Sequence, residues 1–133
     1  MRRFFVDTSF FYALIDKKDL NHPKALDFLK NNKFPLVTTN FVFDELSTIV
    51  RYDFGHAQAI KLGEKLRASD LCSIFRVKQE DEEKAWDIFC KYSDQDFSYT
   101  DCTSFAVINR LLINEVASFD HHFTIMGFVN KII

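Results

Sequence analysis

Short apolar runs alternate with longer amphipathic stretches along the whole 133-residue chain, and this alternation constrains the fold more than any other feature. Arg3 to Val6 (RFFV) predicts a first buried strand, Pro35 to Thr38 (PLVT) a second, and Leu71 to Val77 (LCSIFRV) a third. Glu115 to Phe119 (EVASF) predicts a fourth, and Gly127 to Ile132 a short fifth. Between them, helices are expected over Phe10 to Ile15, from His22 with Pro23 near its first turn, and from Asn40 as a cap. Further helices are expected over Ala57 to Ala68, over Asp81 to Tyr92 and through SYTDCTSFAVINRLL. Such alternation specifies the α/β class: a parallel sheet of four to five strands with helices on both faces and ligands outside the carboxyl ends of the strands. With three Gly, two Pro and no repeat, nothing divides the chain, and residues 1–133 are expected to form a single domain.

Composition narrows the function. The formal net charge of −2 supplies no global basic field to hold the protein on nucleic acid, so any such contact must be local or bridged by metal. Cys72, Cys90 and Cys102 form an odd set without CxxC spacing, which argues against a disulfide framework and against a zinc clamp. A reducing, cytoplasmic setting fits them best. No apolar run approaches the roughly 18 residues a membrane span needs, and MRRFFVDTSFFYAL is interrupted by Asp7, Thr8 and Ser9. Sixteen Phe are more than a chain of this length is expected to bury, so some rings are expected at interfaces.

Four carboxylates stand where such a fold would bring them to one rim: Asp7 and Asp120 directly after strands, Asp101 at a helix start and Glu45 in the second turn of another helix. Three of them have simpler explanations. Asp7 reads equally as a helix cap or Asx-turn, Ser98-Tyr99-Thr100-Asp101 is a capping box, and Asp120 suits a turn. Glu45 is harder to dismiss, because it lies within the apolar stripe Phe41, Val42, Leu46, Ile49. A buried carboxylate needs a cation or a metal, and an oxygen-only ligand set favours Mg²⁺ or Mn²⁺ over zinc.

The segments VDTSFFYAL, TTNFVFDEL, FSYTDCTSFAVI and VASFDHHF resemble, in order and across nearly the whole chain, the four acidic motifs of PIN-domain ribonucleases, most closely VapC-like toxins. The resemblance implies a three-layer α/β/α sandwich and Mg²⁺-dependent endonucleolytic cleavage of RNA, with Mn²⁺ able to substitute. It implies catalytic metal ligands at Asp7, Glu45, Asp101 and Asp120, supported by the hydroxyls of Thr8, Ser9 and Thr100. It also implies a homodimer and a cognate antitoxin that lays an apolar segment in a groove of the toxin. Phe10-Phe11-Tyr12 and the helices from Phe41 to Leu66 are the expected sources of that groove. A metal-activated water would leave a 5′ phosphate and a 3′ hydroxyl.

Other residues divide between chemistry and solvation. Asp96, ahead of the third acidic motif, fits either a polar support to the metal shell or a solvated loop. His121 and His122, beside Asp120, fit contact with substrate phosphate but are explained by a polar turn before Phe123; His22 and His56 are read as structural and Cys102 as a packing residue. Arg51, Lys61, Lys65 and Arg67 offer a path for an RNA backbone, though exposed helix faces carry such residues routinely. Two alternatives remain: a receiver-like, Mg²⁺-binding signalling domain, and a PIN fold kept as a catalytically silent scaffold.

Overall fold

The structure, a computed structural model, describes residues 1–68 and 70–133. Five parallel strands form one sheet: β1 (Phe4–Val6), β2 (Leu36–Thr39), β3 (Cys72–Phe75), β4 (Glu115–Ala117) and β5 (Val129–Asn130). Their spatial order is β3-β2-β1-β4-β5, with Phe4 in register with Leu36 on one side and with Glu115 on the other. Every residue of β1 and β2 is buried, as side chains pointing alternately to the two faces require when helices cover both. The result is a three-layer α/β/α sandwich. The order also differs from the 2-1-3-4-5 arrangement of flavodoxin-like receiver domains, which removes that alternative.

The connecting helices are α1 (Thr8–Ile15), α2 (His22–Asn31), α3 (Asn40–Phe54), α4 (His56–Arg67), α5 (Gln79–Lys91), α6 (Tyr99–Arg110) and the short α7 (His122–Ile125). Except for β2, which is shifted one residue along its run, the strands are shorter than the apolar runs that contain them, because ladder bonding ends where each chain turns into its helix. Helix α1 begins at Thr8 and not Phe10, since Asp7 accepts the Phe10 N–H and caps it. The cap of α3 is Thr39, whose hydroxyl accepts the Val42 N–H. Asn40, expected as that cap, instead accepts the Val77 N–H at 2.7 Å and ties down the exit of β3. Gly55, at φ 96°, breaks α3 from α4 in a conformation that side chains rarely adopt.

Phe10 and Phe11, expected on the surface, are fully buried; Phe10 packs edge-on against Phe28 of α2, which in turn meets Phe4 of β1. Helix α1 packs against α2 and α3, and Phe10, Phe11 and Ala13 form its buried face. Along α6 every residue from Cys102 to Ile108 is buried, with α5 packed over it. Asp81, three residues into α5, accepts two hydrogen bonds from the Arg110 guanidinium at the end of α6, at 2.8 and 2.9 Å. Its other cap contact is the Lys78 N–H at 2.8 Å, and this pulls the start of α5 back to Gln79.

Candidate active site

A cleft of about 320 Å³ opens at the carboxyl rim of the sheet, lined by Asp7, Glu45, Asp101 and Asp120 together with Thr8, Ser9 and Thr100. It lies where chain connections from β1 and β4 diverge to opposite halves of the sheet, the crevice in which open α/β folds bind ligands. The four carboxylates, distant in sequence, thus share one cavity. Asp96 is exposed on the loop before α6 and does not line it.

Each acid is held by a donor. Asp7, at the end of β1, receives hydrogen bonds from the Ser9 hydroxyl at 2.8 Å, the Ser118 hydroxyl at 2.8 Å and the Phe10 N–H at 3.2 Å. Its cap and cleft roles therefore coincide. Burial pushes its carboxyl up to about 7; the two hydroxyls and the Phe10 N–H oppose the rise, and the nearby charge of Asp120 adds to it. Glu45 is half-buried, and the Thr8 hydroxyl donates to its Oε1 at 2.6 Å. That bond turns Glu45 toward the cleft, while Asp44 faces solvent on the next position of α3.

Asp101 closes the expected capping box: its backbone N–H donates to the Ser98 hydroxyl at 2.9 Å, and its carboxylate accepts the Ser98 N–H at 3.1 Å. Burial raises the Asp101 carboxyl above its ordinary range; the Ser98 N–H works against this and the charge of Asp120 adds to it. Asp120 accepts the His122 N–H at 3.0 Å. Among the described residues no Lys or Arg lines the cleft.

Of two further participants, Ser118 escapes the sequence reading and His122 is one that it left open. Ser118 is fully buried and joins the acids across the sheet, donating to Asp7 Oδ2 and accepting the Asp120 N–H at 2.9 Å. Its only sequence signal is a small hydroxyl two positions before an acid at a strand end. His122, expected in a polar turn, places Nδ1 3.0 Å from Asp101 Oδ2 and 3.1 Å from Asp120 Oδ1. Facing two carboxylates, that nitrogen carries the hydrogen. The ring is buttressed edge-on by Phe97, and its register on α7 could not be read from a doublet of histidines. His121 is largely exposed; with Asp120 and His122 it completes a group whose ligand atoms lie within 4.8 Å of one another. Cys102 is buried as packing, and His22 Nδ1 meets the Ala13 carbonyl at 2.6 Å, a structural role.

The donor set suits a hard divalent cation. Three of its members are aspartates, hydroxyls donate to the carboxylates of Asp7 and Glu45, the buried Asp7 has no cationic side chain beside it in the cleft, and oxygen donors dominate. A dication supplies the compensation that burial otherwise forces a proton to provide.

The PIN-domain family model matches residues 4–129. The chain is 32% identical over 125 residues to the 23S rRNA-specific endonuclease VapC20 of Mycobacterium tuberculosis, in strains CDC 1551 / Oshkosh and ATCC 25618 / H37Rv. That match covers 94% of this chain and 95% of the relative. The crystal structure of M. tuberculosis VapC20, described as a sarcin–ricin loop cleaving toxin, agrees with a TM-score of 0.91 at 31% identity, covering 98% of this chain and 99% of that one. The fold is shared more distantly with the DNA-bound VapBC of Salmonella typhimurium, at a TM-score of 0.70 and 11% identity over 98% and 96% of the two chains. With a family match that runs from the first strand to the last, and a relative matched over nearly its full length, this chain belongs to the PIN-domain family and to its VapC branch.

Proposed function

We propose that the protein is a Mg²⁺-dependent endoribonuclease, active also with Mn²⁺, and the toxin of a toxin–antitoxin pair. The observation that carries this reading is the gathering of Asp7, Glu45, Asp101 and Asp120 in one cleft without a basic side chain among its lining residues. Those four residues would hold the cation. When bound, it supplies Lewis-acid stabilisation of charge on the scissile phosphate and a nucleophile at neutral pH. The chain's own work is preorganisation: Ser9 and Ser118 fix both oxygens of Asp7, Thr8 aims Glu45, and the Ser98 cap holds Asp101. Ser118 and Ser9 also join α1 to the segment after β4, since Ser9 Oγ accepts the Phe119 N–H at 2.9 Å. Cleavage by hydrolysis leaves a 5′ phosphate and a 3′ hydroxyl, with no need of the 2′ hydroxyl as nucleophile.

The substrate we infer is ribosomal RNA presented as a structured loop, as the name and description of the M. tuberculosis relative state for that protein. An inhibitory antitoxin and a homodimer complete the proposal; Tyr52 and Ile60, exposed on α3 and α4, are apolar surface for such contacts. Among the described residues no helix is long and apolar enough to cross a membrane, in keeping with action on RNA in the cytoplasm. Incubation of the purified protein with a 23S rRNA fragment and with a pool of other structured RNAs, with and without Mn²⁺, followed by mapping of the ends, tests the reading. Discrete metal-dependent cuts bearing a 5′ phosphate are expected. Full-length RNA in every lane would overturn it.

A further inference from the structure

A second concavity of about 640 Å³ lies beyond the far end of α1, where Lys17, Lys61 and Lys65 surround an apolar floor that includes Ile15 and Phe54. No acidic residue lines it, and none of the three lysines forms an ion pair among the described residues. In a chain of net charge −2 this is an unneutralised local concentration of positive charge. Lys61 and Lys65 are i, i+4 neighbours on α4, a like-charge spacing unfavourable to a helix, with Glu64, three residues after Lys61, the acidic residue within reach on the same helix. Placement of Lys65 in the last turn of α4 suits the helix dipole. The dipole accounts for neither Lys61, a turn earlier, nor Lys17, which comes from another part of the chain.

The hollow and the acidic cleft share a wall. Tyr12 lines the cleft and packs on Phe54, which lines the hollow, with ring centroids 5.7 Å apart. The Tyr12 hydroxyl donates to Asp53 at 2.7 Å, which fixes this shared wall. Asp7 caps one end of α1 and Ile15 ends it, so the eight-residue helix separates cleft from hollow by about 12 Å. Three to four stacked nucleotides span roughly that distance. Spaced point charges around an apolar floor match an RNA strand, whose phosphates would meet the ammonium groups while a base covers Phe54.

We propose that Lys17, Lys61 and Lys65 form a phosphate-binding track that holds the RNA strand about three to four nucleotides from the scissile bond. The proposal rests on the nuclease reading above and deepens it. The lysines position substrate and do not touch the reacting atoms. The test compares wild type with the K17Q/K61Q/K65Q and K17R/K61R/K65R variants on one 23S rRNA fragment carrying the sarcin–ricin loop. Anisotropy in EDTA over a range of salt gives affinity without cleavage, and initial rates in Mn²⁺ give kcat and KM.

Loss of three phosphate contacts lowers the slope of log affinity against log salt by about 2 and weakens binding at least about tenfold near 0.1 M salt. KM rises by a similar factor, kcat at saturating RNA stays unchanged, and the arginine variant restores the slope. A glutamine variant with wild-type slope and KM overturns the track while leaving the nuclease intact. A wild type that cuts no RNA in Mn²⁺ sinks the nuclease reading, and the track with it. If the glutamine variant loses binding to poly-glutamate but keeps its affinity for RNA, the hollow receives an acidic protein segment, and the RNA assignment is overturned.

Discussion

Asp7 and Asp81 are both buried aspartates that accept a backbone N–H in the first turn of a helix, yet they sit in opposite electrostatic states. Burial alone would raise the Asp81 carboxyl; the hydrogen bonds and charge of Arg110, together with the Lys78 N–H and the Lys78 charge, outweigh it and hold the group below its ordinary range. Asp7 has only neutral donors, Ser9, Ser118 and the Phe10 N–H, and burial drives it up to about 7. A buried acid with its own guanidinium joins two helices, here α5 to α6. One left without a cation, in a cleft shared with four other acids, Asp19, Glu45, Asp101 and Asp120, has the environment that a bound cation would compensate. The contrast separates structural from functional carboxylates on physical grounds where cap geometry alone cannot.

The sharpest way to break this contrast is to neutralise each side of it. Asp7→Asn is expected to lower metal-dependent RNA cleavage by roughly a thousandfold or more, measured as initial rate at saturating metal. At pH 8 the metal-free variant should melt no lower than wild type, because it relieves a buried charge. Cleavage at the wild-type rate would leave Asp7 as a cap alone. Arg110→Ala should do the reverse, since it strands Asp81 as a buried anion. Denaturant titration should show a loss of about 3 kcal/mol, with unchanged kcat per folded molecule.

The pH dependence of the metal-free protein separates the two aspartates again. Asp7 has a folded-state value near 7 against an ordinary value of 3.8, so the folded state binds more protons between these limits. Its contribution to stability is whole below about pH 4 and is lost as pH rises through 7, on the order of a few kcal/mol, and Asp7→Asn should flatten that slope. Asp81 is lowered, so its contribution is present above its ordinary value of 3.8 and lost as pH falls below it. Thermal melts in EDTA from pH 3 to pH 8 distinguish the two. A wild-type profile that rises steadily from pH 4 to 7 would count against the assignment for Asp7.

The smallest expected effect sharpens the role of the hydroxyls. Ser118→Ala removes one donor from Asp7 and the acceptor of the Asp120 N–H, so cleavage should fall by about tenfold, in line with one lost hydrogen bond to a charged group. Higher Mn²⁺ should restore part of the rate, whereas it should not rescue Asp7→Asn combined with Asp101→Asn.

Much of the local structure was legible in the chain itself. The alternation of runs located all five strands within a few residues, and the Ser98–Asp101 capping box formed as read, because its partners are three residues apart. The four acids could be assigned to one rim because in a parallel sheet the end of a strand and the start of the next helix share an edge. Glu45 was recognised by its position inside an apolar stripe, although the bond from Thr8 that turns it toward the cleft spans 37 residues.

What only the tertiary structure decided were contacts between segments far apart in sequence. Ser118 reaches Asp7 across 111 residues, His122 meets Asp101 across 21, and Arg110 meets Asp81 across 29. Periodicity reports which face of an element is apolar, but not which strand lies beside it, so the order β3-β2-β1-β4-β5 and its register had no local signal. The same limit explains Phe10 and Phe11: a short, apolar helix reads alike whether it is exposed or covered by other helices, and the packing of α1 against α2 and α3, with Phe10 on Phe28, decided for burial. The chain by itself thus determined the chemistry available at each turn, while the long-range pairing of strands and helices decided which of those groups share a cleft and which are held by a partner.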